Sequence, residues 1–504
     1  MSRTLNSKRN IVSGILFKLF ATLLPFAIRT AIIYSLGTEY LGVTSLFTSI
    51  LSVLSLTELG FSSAIVYSMY KPIAENNEKK ICELLNFYKI VYRIVGSVIC
   101  VLGIGIIPIL NFLIKGDFPT GINIYIVYFV YLFNTVISYF LFAYKTSLAI
   151  AYQRSDLLNK TQIVVLFFLY GVQIIVLCVF KNFYLYIIVT PISTLIGNLI
   201  NNYKITKFFP NIKCNGQISK EDRRDIIKKV KGLVLDRLGD TSRNSFDNIV
   251  ISSFFGLSTL AIFNNYYFIV TAIGSILLIL KQSIQASIGD SIASETIEKN
   301  YSDFKKSNFI FSWIISWCFI CFLCLYQPFM ELWVGNTLKL SNSNMVFFCV
   351  FFYALNINIV PNLYLGGNGL WWECKAPCIV EAFGNLFFNI VLGKLFGIKG
   401  ILLSTIITLV SCNFIWRNII LFKKYFGRNP IDFFLESIFY LLITIFVGII
   451  NYWVCALPFA NNFIIKMVIC CLIPNILFVL LYFKHSYFKP SLEVVQNLIK
   501  NKEA

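Results

Sequence analysis

Charge is scarce in this 504-residue chain: only 13% of residues are charged, and histidine occurs once, as His485. That is too little polar surface for a water-soluble globule, and with 57% apolar residues and a mean hydropathy of +0.75 it marks a polytopic membrane protein. No G-x-x-x-x-G-K-[ST] phosphate loop occurs, which leaves no site for ATP hydrolysis. No His/Glu zinc motif is present, and His485, ending the last hydrophobic segment, reads as interfacial. No small-residue cleavage site follows the first hydrophobic segment, which is expected to stay as an uncleaved span. The loops expected on the outer side are only about 3 to 14 residues long. That leaves no room for an outer catalytic surface, so the chain reads as a non-enzyme without a cofactor.

Fourteen cysteines are scattered mostly through apolar segments. Cys318, Cys321 and Cys324 step by three, yet no histidine is near; they read as small polarizable core residues, with neither disulfide nor metal expected. The glycines of LGGNGLWWE (Leu365 to Glu373) follow a span rather than a strand, so this stretch reads as a flexible connection.

The net charge of +19 would suit nucleic acid if it were clustered, but the basic residues sit mostly in short loops. A span length of about 20 residues predicts helices at 11–36, 43–68, 88–114, 122–148, 161–180, 183–206, 232–255, 259–281, 307–328, 343–364, 377–396, 400–422, 436–456 and 462–484. Loops on one side then hold Lys71, Lys79, Lys80, Arg154, Lys160, the basic run from Lys207 to Lys231, Lys299, Lys305, Lys306, Lys423, Lys424 and Arg428. The opposite loops hold only Lys115, Lys181, Lys339 and Lys399. The positive-inside rule therefore puts both termini in the cytoplasm, and no nucleic-acid partner is implied. The expected organisation is an N-terminal lobe (1–206, helices 1–6), a basic cytoplasmic segment (207–231), a C-terminal lobe (232–422, helices 7–12), helices 13–14 (430–484) and a cytoplasmic tail (485–504).

Leu233 to Phe255 is long enough to cross a bilayer yet carries Asp236, Arg237, Asp240, Arg243 and Asp247. As a helix, 236, 240, 243 and 247 stack on one face. Three central charges oppose insertion by roughly 7 to 10 kcal/mol, against a return of roughly 3 to 6 kcal/mol from the apolar residues. The ionic stripe must therefore face other helices or a water-filled cavity. The competing reading is a surface helix from Glu221 to Asp240 followed by one long span from about Ile249 to Leu280. It would put the later basic loops outside.

Arg29 lies past the middle of the first span, too deep to snorkel easily, and Glu58 lies near the centre of the second. An Arg29–Glu58 lock and a substrate role for Arg29 are both open. Lys18, Lys145, Lys394 and Arg417 are weaker candidates near span ends, and Arg237 belongs with them. RTAIIYSLG (Arg29 to Gly37) and DNIVISSFFG (Asp247 to Gly256) each end a span with a charged residue, a β-branched run and a glycine. This echo between the halves suggests a repeat, a common transporter plan.

LSLTELGFSSAIVYSMYKPIAENN (Leu54 to Asn77), FDNIVISSFFGLSTLAIFNNY (Phe246 to Tyr266), IQASIGDSIASE (Ile284 to Glu295), QPFMELWVG (Gln327 to Gly335) and GLWWECKAPCIVEAFGNLFFNIVLGKLFGIKGILLSTI (Gly369 to Ile406) occur in that order. The series resembles the Wzx-type polysaccharide flippases of the multidrug/oligosaccharidyl-lipid/polysaccharide (MOP) superfamily. The resemblance implies an all-α fold of about 14 transmembrane helices, with two six-helix lobes around a central cavity and two further C-terminal helices. It also implies outward flipping of an undecaprenyl-pyrophosphate-linked oligosaccharide across the bacterial cytoplasmic membrane for O-antigen or capsule synthesis, beside polysaccharide polymerase or assembly partners. Arg29 and Arg243 fit the family's cationic lining, although Asp236, Asp240 and Asp247 make this region more acidic than such a lining. Without an ATP site the expected energy source is an ion gradient or the membrane potential, with Asp240 or Asp247 as the group that takes up H⁺ or Na⁺. Export of drugs or small molecules, coupled to cations, is the alternative within the superfamily; a membrane glycan polymerase or transferase is the remote one.

Overall fold

The computed structural model describes residues 3–493 apart from 59, 60, 117 and 120; within its helices the side chains of 3–12, 15, 57, 58, 229, 231–233, 235–237, 240, 242 and 286 lie outside that description. Among the described residues the secondary structure is entirely helical. The Cα trace divides into two compact units, 1–264 and 265–504.

The first unit holds α1 (Arg3–Ser35), α2 (Thr38–Leu54), α3 (Phe61–Ala74), α4 (Glu78–Ile106), α5 (Ile124–Phe140), α6 (Thr146–Ala151), α7 (Ser155–Ile175), α8 (Phe183–Phe208), α9 (Lys220–Phe255) and the start of α10 (Leu257–Ser294). α1 packs on α7, α2 on α9, and α5 on α8. Between α8 and α9, the segment 209–219 docks on the start of α4, where Asn86 Nδ2 donates to Gly216 O at 2.8 Å, and the first turn of α9 joins it through the Lys80–Asp222 pair. Ser219 caps α9, accepting from Asp222 N at 3.1 Å.

α9 is one continuous helix that stops at Gly256, φ +85°, where a Cβ would stand 2.8 Å from Lys115 O. A single helix across 249–280 is thereby excluded. α1 and α2 are joined in the same way through Gly37, φ +117°, so the two echoed sequences share their local geometry. The predicted second span is broken after Leu54 by a short 3-10 turn, Ser55–Glu58, before α3 begins.

The second unit continues α10 and adds α11 (Ile297–Val334), α12 (Asn342–Asn356), α13 (Ile359–Gly367), α14 (Lys375–Phe396), α15 (Ile398–Thr408), α16 (Arg417–Leu421), α17 (Ile431–Cys455) and α18 (Phe463–Tyr482). π-helical turns at Leu409–Trp416 and Phe422–Phe426 flank α16. α17 and α18 pack together against α11.

Eleven helices among the described residues are long and apolar enough to cross a membrane, or twelve if the bent pair formed by α5 and the α6 segment counts as one span. The other two predicted spans are α2, interrupted after Leu54, and α9, charged along its length, so neither offers an unbroken apolar run of that length. Every helix predicted from hydropathy has its counterpart, and the chain is a multi-pass membrane protein. Pro25, Pro191 and Pro474 sit inside α1, α8 and α18. Pro361 opens α13 just after the break that separates it from α12.

Candidate functional site

α1 and α2 wall a cavity of about 290 Å³ in the first unit, completed by residues of α7, α8, α9 and the start of α10. Its polar lining is Arg29, Thr44, Ser45, Thr48, Ser49, Tyr170, Tyr186, Asn248 and Asn264. Arg29 is the only charged side chain among the described lining residues. Spacing on α2 explains the hydroxyl row: 44, 45, 48 and 49 recur on one helical face.

Several of these side chains are held by hydrogen bonds. Asn248 Nδ2 donates to Ser49 Oγ at 2.8 Å, and Asn264 Nδ2 donates to Asn248 Oδ1 at 3.1 Å. Thr44 is held by Tyr131, whose hydroxyl donates to its Oγ1 at 3.1 Å. Ser49, Asn248, Asn264 and Thr44 are thus held in place by the protein itself, and groups so positioned need little rearrangement to bind.

Arg243 and Asp247 are buried on α9, at 6% exposure each. The cavity lining takes Asn248 from that helix and includes neither of them. The side chains of Glu58, Asp236, Arg237 and Asp240 lie outside the described residues. Lys18 is half-buried on α1. Lys145 donates to Asn202 Oδ1 at 2.6 Å and to Thr206 Oγ1 at 3.0 Å, so it clamps the α5–α6 turn to α8. Lys394 is exposed in the last turn of α14. Arg417 is buried in the second unit, where its Nη2 donates to Cys378 Sγ at 2.8 Å.

Around Arg417 lies a polar seam that the sequence reading passed over. Glu381, Asn385 and Asn389 of α14 are fully buried, as are Ser404 and Thr405 of α15. Asn385 donates to Thr405 Oγ1 at 3.0 Å, and Asn389 donates to Asn385 Oδ1 at 3.2 Å. Asn358, at the break before α13, donates to Asn413 Oδ1 at 2.7 Å and accepts from Asn418 at 2.7 Å. The signal was present: 381, 385 and 389 step by four and mark one helix face. Without a second charge on that face it did not stand out.

No protein-family model and no curated protein matches this chain in sequence. Solved structures do match. The lipid II flippase MurJ in an inward closed conformation is similar with a TM-score of 0.64 at 14% identity, covering 93% of this chain and 99% of that one. A multidrug resistance MATE family transporter of the MOP superfamily, inward-facing, gives 0.62 at 15% identity, covering 82% and 98%. A mutant of the Vibrio cholerae MATE transporter VcmN gives 0.59 at 15% identity, covering 85% and 99%. The chain therefore has the fold of around 14 transmembrane helices seen in the MATE transporters and MurJ.

Proposed function

We propose that this protein is a flippase that moves an undecaprenyl-pyrophosphate-linked oligosaccharide across the bacterial cytoplasmic membrane for surface polysaccharide synthesis. The observation that carries the reading is the lining around Arg29: one guanidinium, no carboxylate among the described residues, and a wall of hydroxyls and carboxamides. Pyrophosphate needs charge compensation, which a guanidinium supplies bidentately. Sugar hydroxyls need hydrogen-bond partners once they leave water. A cavity of about 290 Å³ is at the small end for ligand sites, so it suits the pyrophosphate and its nearest sugar rather than a whole glycan. The likeness to MurJ, described as a lipid II flippase, agrees with a lipid-linked substrate.

Arg243 is assigned to the same headgroup at a later stage of the cycle, and Asp240 or Asp247 to uptake of H⁺ or Na⁺. Buried Glu381 is a further carboxylate for that role. Both termini are assigned to the cytoplasm, and partners are the polymerase and assembly proteins that consume the flipped unit.

Deletion of the gene in its host should abolish surface polysaccharide, with restoration by the wild-type chain. Export of cationic drugs is the second reading, favoured by the likeness to MATE transporters. Unchanged polysaccharide together with raised sensitivity to cationic dyes would select it. The absence of a carboxylate from the described cavity lining argues against a cationic substrate at that position.

A further inference from the structure

The second unit brings together three cysteines that are far apart in the chain. Cys324 lies on α11, Cys455 is the last residue of α17, and Cys470 lies on α18. Their sulfurs are all within 4.8 Å of one another, and those of Cys455 and Cys470 are 3.8 Å apart. All three residues are buried. Asn451, one turn before Cys455 and fully buried, donates through Nδ2 to Cys324 Sγ at 3.2 Å and to Cys470 Sγ at 3.3 Å. Its Oδ1 is buried without a hydrogen-bond partner among the described residues. The shell around the group is built from Ala460, Ile469, Leu325, Val454 and Ile473, with Cys321 packed beside them.

Cysteine that only fills space needs no carboxamide beside it, and burying one with an unpaired oxygen is unfavourable. The placement of Asn451 becomes favourable if the sulfurs are charged, because a hydrogen bond to an ion is roughly twice as strong as a neutral one. Thiolates in an apolar shell in turn require a cation. Three sulfurs around a metal at about 2.3 Å would stand about 4.0 Å apart in a plane, close to the spacing observed. Soft thiolate donors select Cu(I) or zinc; zinc closes a fourth position, whereas the sulfur of the neighbouring Cys321 is turned to Cys470 O at 3.8 Å and stands outside the group of three.

We propose that Cys324, Cys455 and Cys470 form a three-sulfur site for a thiophilic metal ion of the Cu(I) class, with Asn451 donating to the bound sulfurs. Binding involves no electron transfer: one thiol loses its proton to solvent as its metal–sulfur bond forms, so that one thiolate balances Cu(I), and the other two sulfurs coordinate as thiols. The ion would join α17 and α18 to α11.

The test uses the full-length protein, purified anaerobically in detergent and titrated with Cu(I) held by a chromophoric chelator. The wild type should withdraw one equivalent, and X-ray absorption should show about three sulfur neighbours at about 2.3 Å. Cys324→Ser, Cys455→Ser and Cys470→Ser should each lose that equivalent, whereas Cys178→Ser, an exposed cysteine of the first unit, should keep it. Asn451→Ala should weaken binding by about 10- to 100-fold, as loss of a group supporting a metal ligand does. The wild-type spectrum reads coordination directly, so the test survives a variant that fails to fold. An equivalent retained by all three serine variants, or a spectrum without sulfur, overturns the proposal. So does recovery of a Cys455–Cys470 disulfide from protein alkylated in intact membranes.

Discussion

At the residue scale, Arg29 decides between binding and locking. If it holds pyrophosphate, Arg29→Ala should abolish complementation of the deletion while membrane levels stay near normal. Arg29→Lys should recover only part, because the planar fork is lost. A structural lock gives another pattern: depleted protein in Arg29→Ala, and restored expression and transport when Glu58→Gln is added. Quantitative blotting beside polysaccharide staining separates the two. Asn248 joins α9 to α2 through Ser49 and receives a bond from Asn264. Asn248→Ala should destabilise the detergent-solubilised protein by about 0.6 to 1.7 kcal/mol, the range for hydrogen bonds between membrane helices, read as a lowered melting midpoint.

His485 lies just beyond α18 and stacks on Phe309, with ring centres 5.2 Å apart. Burial holds its imidazole below the usual histidine range, outweighing the opposite pull of Glu436 at 3.9 Å. The unfolded chain therefore takes up this proton more readily than the folded one. Its contribution to native stability is complete above the ordinary value of 6.5 and is lost as the pH falls below it. Melting curves between pH 7.5 and 5.5 should show that loss, and His485→Phe, which keeps the stacking, should flatten it. Arg29 was legible because a charge deep in an apolar run stands out. Asn248, Ser49 and Asn264 were not, since uncharged polar residues are tolerated anywhere in a span and only packing decides which of them meet.

At the element scale, two kinds of contact set how helices approach. Gly42 on α2 faces the first residue of α10, where an added Cβ would stand 2.2 Å from Leu257 O. That backbone cannot yield as a side chain end would. Gly42→Ala should therefore destabilise by about 1 to 3 kcal/mol, whereas Gly105→Ala, with nothing within 4 Å, should gain about 0.5 to 1 kcal/mol from helix propensity. The melting midpoints of the two variants should move in opposite directions. α11 and α17 are joined by the ion pair Lys305–Glu436, with side chains 6% and 14% exposed. Lys305→Ala leaves a carboxylate in a poorly solvated place and should cost about 3 to 5 kcal/mol. Lys305→Met combined with Glu436→Leu should recover most of it. Hydropathy places both elements and gives no hint of this pair, because in the sequence Lys305 counts only as a loop charge that orients the chain.

At the scale of the whole molecule, the fourteen-span reading predicts that cysteines introduced at positions 217 and 303 of a functional, cysteine-depleted chain react only after the membrane is permeabilised. External labelling at either site would invert the orientation assigned from the basic loops. The number and order of the helices could be read from the chain because each crossing needs about 20 apolar residues in succession, a property that sums locally. Which side of a helix meets lipid could not be read in this way. On α4, Val91, Val95 and Ile99 are buried while Ile94, Val98 and Val101 are exposed, and the two faces use the same residue types. In water one face would be polar and periodicity would point to the core; in hydrocarbon both faces are apolar and the pattern carries no direction. The tertiary structure alone decided those faces, the company of Arg29 and the meeting of Cys324, Cys455 and Cys470, because each depends on contacts between helices distant in sequence.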